Sequence, residues 1–202
     1  MREAVGMGRT QGFDTRTVVR AARAVFWERG YEGASLPELE RATGLSRSSI
    51  YHAFGSKRGL FDAAVDSYLA EVIRPRLEPL RAETVERDAL IGYLNGLDAA
   101  LTRAGSLPAS SGCLLINAAS APIGRDDAVA RTVAGYREEL RVAIGRGVAA
   151  LRPDLPRAES EVLADACTGL VVAAFALVRV APGQASRSLA TARGLLARPG
   201  ER

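Results

Sequence analysis

The 202-residue sequence predicts an all-α protein: an N-terminal unit of three short helices followed by a larger helical body, about nine helices in all. Three observations lead there. Ala, Leu, Val and Arg dominate the composition, and Ala, Leu and Arg lose little entropy on entering a helix. Apolar residues recur three and four positions apart through most of the chain, the spacing of one helix face. No stretch alternates apolar and polar residues as a half-buried strand would, and no internal repeat is present.

Residues 1–12 are Gly-rich and polar and read as a flexible arm. Asp14 caps a first helix, with Phe13 and Val18 placed as a hydrophobic staple, and Val18, Ala22, Val25 and Phe26 mark its buried face. Gly30 ends it. Ser35-Leu36-Pro37-Glu38 is a capping box with proline in the first turn, opening a short second helix to about Thr43. Gly44 supplies the positive φ of a sharp turn. Ser46 caps a third helix to about Phe54. Ser56 caps a fourth, carrying Leu60, Phe61, Ala64, Val65 and Tyr68, which Pro75 and Pro79 are expected to end or kink. Beyond it, residues 86–103 align Leu90, Leu94, Leu97 and Leu101, residues 105–111 read as a loop, and residues 113–119 as a short buried helix. A long amphipathic helix is expected over 126–151, a strongly apolar one over 159–180, and a last one over 185–197.

Charge is unevenly placed. Residues 1–60 hold ten Lys+Arg against six Asp+Glu, whereas residues 61–202 hold seventeen of each. The whole excess of +4 therefore sits in the first third, as expected of a small polyanion-binding module on a neutral body. Cys113 and Cys167, the only cysteines, lie in apolar runs and form neither a disulfide framework nor a zinc pattern. The N-terminus lacks the apolar core of a signal peptide, and the uncharged apolar run at 166–178 is shorter than the roughly 18 residues a membrane span needs, so a cytoplasmic protein without a membrane partner is expected.

The most informative stretch is LPELERATGLSRSSIYHAF, residues 36–54. Two short helices joined by a tight turn form a helix-turn-helix, in which the second helix enters the DNA major groove. Leu36, Leu39, Ala42, Leu45, Ile50 and Phe54 supply inward positions. The second helix then exposes Arg47, Ser48, Tyr51 and His52; Arg47 and Tyr51, and Ser48 and His52, are spaced four apart on the outer face. Arg bonds a guanine edge in bidentate fashion, and Ser, Tyr and His bond bases or phosphates. The start of that helix also offers N–H groups to phosphate.

These residues closely resemble the DNA-binding domain of TetR/AcrR-type regulators over about residues 13–69. The resemblance rests on Gly30-Tyr31, Ser35, Thr43-Gly44-Leu45-Ser46, Tyr51-His52-Ala53-Phe54 and Ser56-Lys57-Arg58-Gly59-Leu60-Phe61. It implies a homodimer on double-stranded operator DNA, with phosphate roles for Ser35, Tyr51, His52 and Lys57; Thr43, Ser46 and Ser49 complete the candidate DNA-binding set. Lys57, the single lysine, opens the fourth helix against the unfavourable dipole end, which itself suggests a phosphate partner. Gly59 departs from the acidic or helix-favouring residue the family often carries. Arg2 and Arg9 could reach a minor groove, although an arm without contacts is the plainer reading.

The remainder, residues 70–202, is expected to sense a small-molecule ligand and to dimerise. Gly112-Cys113-Leu114-Leu115-Ile116-Asn117-Ala118-Ala119 is similar to a GCLLxNAA segment of one branch of the family. Tyr93, Cys113, Asn117 and Tyr136 are candidate ligand-pocket residues; each could equally be a satisfied core or surface group. Family resemblance puts the dimer on the last two helices, where Leu163, Ala166, Leu170, Ala174, Leu177 and Leu189 are candidate seam residues. No cofactor or metal is expected. With one histidine and none of the common nucleophile, phosphate-loop or metalloprotease motifs, the sequence does not read as an enzyme. It therefore reads as a cytoplasmic, nucleoid-associated repressor released from its operator by an inducer. The alternatives are a thiol-based redox or electrophile sensor acting through Cys113, and a helical interaction protein that does not bind DNA.

Overall fold

The computed structural model describes residues 13–197, and all regular structure among them is helical. The expected arm, with Arg2 and Arg9, lies outside the described residues. The order is α1 (Thr15–Gly33), α2 (Leu36–Thr43), α3 (Arg47–Phe54), α4 (Lys57–Tyr68), a π turn (Leu69–Ile73), α5 (Arg74–Arg81), α6 (Ala89–Thr102), α7 (Leu107–Ser111), α8 (Leu114–Ser120), a 3-10 turn (Pro122–Arg125), α9 (Asp127–Leu151), α10 (Arg157–Leu177) and α11 (Pro182–Leu196). Counting α4, the π turn and α5 as one rod, and setting aside single-turn α7, gives nine helices among the described residues.

The local signals act where the sequence puts them. Asp14, Ser46 and Ser56 each accept a backbone N–H at the start of their helices, and Ser35 and Glu38 close a reciprocal capping box. Gly44 takes φ 68° at the end of α2, a conformation that costs a side-chain-bearing residue energy and costs glycine little. α1 packs antiparallel along α4, with Phe26 edge-on to Phe61 at 5.2 Å and Trp27 edge-on to Tyr68 at 4.8 Å. A single buried cluster runs from Ala22 in α1 to Leu196 in α11, so the N-terminal unit and the body share one core.

Several expectations are corrected. Residues 107–111 form a helical turn, not a loop, because Ser106 caps it and Pro108 sits in its first turn. The fourth helix does not stop at Pro75: the Arg74 amide bonds back five residues to Leu69, and this slip in register places Pro75 in the first turn of α5, where no N–H is required. Pro79 lies inside α5, which ends two residues later. Ala42 is exposed instead of inward. α10 as a whole is long and apolar enough to cross a membrane, although the uncharged run counted from sequence starts only after Asp165; only a third of its most apolar window is buried within the protomer.

Candidate nucleic-acid interface

α3 is held from behind by Ile50, fully buried, with Leu45 and Phe54 partly buried beside it. Its outer face presents Arg47, Ser48, Tyr51 and His52, all exposed, as their spacing requires. The Arg47 guanidinium lies 5.7 Å from the Tyr51 ring centroid, a cation–π contact that restrains both side chains before any ligand arrives. The helix start is less open than the sequence suggests. The Arg47 amide donates to the Glu40 carboxylate at 2.5 Å and the Ser49 amide to Ser46 Oγ at 3.2 Å, leaving the Ser48 amide for an outside acceptor. Ser46 Oγ also meets the Ser48 and Ser49 hydroxyls, each at 2.9 Å.

The other candidates sit around this helix in supporting positions. The Thr43 hydroxyl donates to the Leu39 carbonyl at 2.6 Å and accepts from the Leu45 amide, so it closes the turn. The Ser35 hydroxyl is engaged with Glu38 in the capping box. Lys57 stands with its ammonium 4.7 Å from the Tyr31 ring centroid, which carries the cation without neutralising it. Arg41, Arg47 and Lys57 make no ion pair among the described residues, whereas Arg16, Arg20 and Arg23 all converge on Glu71, at 2.9, 2.7 and 2.9 Å. The Arg20 hydrogen bond, followed by those of Arg16 and Arg23, holds Glu71 down to about 2. Within residues 13–69, the cations left without a carboxylate partner are thus Arg41, Arg47 and Lys57, on α2, α3 and the start of α4.

Beyond the Glu71 pairs, three contacts not visible in the sequence tie this unit to α7, α8 and α9 and the turns between them. Arg58 of α4 forks onto Asp126, the cap of α9, at 2.9 Å through each nitrogen, and also pairs with Asp62 at 2.8 Å. The Arg58 hydrogen bond, backed by the Val129 and Ala128 amides, keeps the Asp126 carboxyl well below the usual carboxylate range. Glu32 accepts from the Ile123 amide at 2.7 Å. The Trp27 indole donates to the Gly112 carbonyl at 2.9 Å.

In the body, Cys113 and Tyr136 come together: the thiol lies 3.8 Å from the Tyr136 hydroxyl, close to Tyr68, which sequence reasoning did not single out. Burial pushes the Cys113 thiol up, away from the thiolate. Tyr93 stands nearby, and burial holds its phenol neutral. Asn117 is apart from this group, its amide donating to the Ser111 carbonyl at 2.6 Å as a fixture of the α7–α8 corner. Of the candidate seam residues, Ala166 is exposed and Leu163, Leu170 and Leu177 are half-buried on α10. Ala174 of α10 and Leu189 of α11 are fully buried within the protomer and have no area to offer a second chain.

Residues 18–64 match the family model described as bacterial regulatory proteins, tetR family. The chain is 34% identical over 143 residues to the HTH-type transcriptional regulator YezE of Bacillus subtilis, covering 70% of this chain and 72% of that one. It is 34% identical over 112 residues to the HTH-type transcriptional repressor ComR of Escherichia coli, covering 54% of this chain and 51% of that one. Among solved structures it is similar to CifR, a TetR family transcriptional regulator solved as a cysteine mutant complexed with 26-base-pair double-strand operator DNA: TM-score 0.75, 32% identity, 95% of this chain and 100% of that one. The relatives are transcriptional regulators, not enzymes, and this chain belongs to the TetR family of bacterial regulatory proteins.

Proposed function

We propose that the chain is a one-component repressor: residues 13–69 read operator DNA, residues 70–202 dimerise and bind a small molecule, and ligand binding releases the operator. Its place of action is the cytoplasm, at the nucleoid. The observation that carries the reading is α3, a capped helix braced by Ile50 whose exposed face is Arg47, Ser48, Tyr51 and His52, with no other helix across it among the described residues. In a dimer, two such helices would need to sit about one DNA turn apart, roughly 34–36 Å. A ligand acts only through its unequal affinity for the splayed and unsplayed arrangements. The Arg58–Asp126, Glu32–Ile123 and Trp27–Gly112 contacts are the mechanical means by which a shift in α7, α8 or α9 reaches α1 and α4.

A second copy is favoured by the surface. Of the five large hydrophobic side chains exposed among the described residues, Val162, Val180 and Leu195 lie on or beside α10 and α11. Covering them with the same helices of a partner gives a bundle without new chemistry. The thiol-sensor alternative gains no support from a Cys113 that is fully buried with its thiol pushed up.

Fluorescence anisotropy with duplex DNA from upstream of the protein's own gene tests the reading. Binding is expected to weaken steeply with salt, because phosphate contacts dominate. Tyr51→Ala and Lys57→Ala are expected to weaken it at least tenfold with helicity unchanged by circular dichroism. Indifference of the wild-type dimer to duplex DNA would favour a helical interaction protein and end the proposal.

A further inference from the structure

Between α5 and α6 runs an open groove of about 410 Å³ whose walls are unusual for a helix pair. On α5, Pro75 and Pro79 stand four apart on one face; on α6, Ala89, Gly92 and Gly96 share the face opposite. Neither glycine has a positive φ, and a Cβ added to either would meet nothing within 4 Å. Glycine inside a helix costs stability relative to alanine, and neither turn geometry nor close packing requires it here. What the two glycines leave is space: a flat slot with proline rings on one side and bare backbone on the other. Two polar groups line it. Arg76 is half-buried and makes no ion pair or hydrogen bond among the described residues, and the Tyr93 hydroxyl likewise has no partner. Asp88, the one carboxylate on the wall, is exposed at the rim.

We propose that this slot binds a small organic carboxylate with a flat apolar body, its carboxylate on the Arg76 guanidinium and its ring between Pro75, Pro79 and the glycine backbone. An unpaired guanidinium in a partly desolvated apolar cleft is the group that recognises a carboxylate, through two parallel N–H···O bonds, and an apolar cleft with few polar anchors is the form ligand sites take. Tyr93, partly buried on the same wall, supplies a hydroxyl donor. The inference rests on the reading of the body as a ligand-binding unit and names the ligand class.

Calorimetry on the full-length protein, with benzoate, phenylacetate and 4-hydroxybenzoate as probes and benzamide as the uncharged counterpart, tests it. At least one carboxylate is expected to bind saturably and at least tenfold more tightly than benzamide. Arg76→Gln is expected to cost at least tenfold. Gly92→Leu fills the slot from an exposed helix position that tolerates a side chain, and is expected to abolish binding with the fold retained. Failure of all three carboxylates to bind the wild type, or equal binding to Arg76→Gln, overturns the proposal. Operator anisotropy on the same preparation separates the two readings: DNA binding without carboxylate binding refutes the slot alone, and absence of DNA binding refutes the regulator reading whatever the slot does.

Discussion

At the scale of single residues, what the sequence reveals is what acts locally. Asp14, Ser46 and Ser56 cap because a short side-chain oxygen reaches an amide two or three residues on, and that geometry is contained in a few consecutive letters. Gly44 is legible for the same reason. Gly112 is not, because its requirement comes from elsewhere in the chain. It adopts φ 66° and ψ −126°, and a Cβ there would collide with the Phe175 carbonyl of α10 while its own carbonyl holds the Trp27 indole. Gly112→Ala is therefore expected to lower stability by about 2–4 kcal/mol, combining backbone strain with a forced displacement of α10. Urea denaturation followed by the fluorescence of Trp27, the only tryptophan, measures it. A loss below about 0.5 kcal/mol would mean that the corner yields freely and does not join α1 to α10.

At the scale of elements, the sequence located most helices but misread how two of them join. Pro75 and Pro79 were expected to end or kink the fourth helix, since proline removes a hydrogen bond and crowds the preceding turn. The π turn absorbs that cost by a slip in register: Pro75 has no N–H to give, and the Arg74 amide bonds five residues back to Leu69. The turn's anchor is Glu71, held by Arg16, Arg20 and Arg23 from 48 to 55 residues away, pairings that no helical spacing encodes. Glu71 titrates at about 2 in the folded protein, below its ordinary 4.5. A carboxylate whose folded value is depressed stabilises the fold above the unfolded value and loses that contribution as pH falls from about 4.5 to about 2. Glu71→Gln is thus expected to be less stable than the wild type at pH 7, with the gap narrowing as pH falls through that window. Asp126, depressed by Arg58, adds to the same acid sensitivity, so the variant retains part of the slope. Urea midpoints at pH 7 and pH 3 provide the check; an equal gap at both would show that the three arginines do not act through the Glu71 charge.

At the scale of the whole molecule, the concentration of positive charge in the first third and the helix-turn-helix pattern were enough to single out the outer face of α3 as the candidate DNA-reading surface, because a short capped helix carries its inner and outer faces in its own spacing. The far end of the chain was less legible. α10 is apolar nearly all round, so sequence alone could not divide the face that packs on α11 from the face left for a partner, and Ala174 and Leu189 were assigned to the wrong side. The structure separates them: Ala174 and Leu189 are enclosed, while Val162 is 69% exposed and Ala166 lies open one turn further on. In a two-fold dimer a residue near the axis meets its own copy, so Ala166→Glu would bring two carboxylates into an apolar contact at once. Like charges across an interface cost several kcal/mol, and the expected outcome is dimerisation weakened at least 100-fold. Since position 166 faces away from its own protomer, helicity should be preserved. Sedimentation velocity would then show a folded monomer, and operator affinity should fall with it, because one recognition helix cannot hold two half-sites. A variant that stays dimeric would move the partner surface off this face of α10; a monomer that binds operator as the wild type does would remove the need for a second copy.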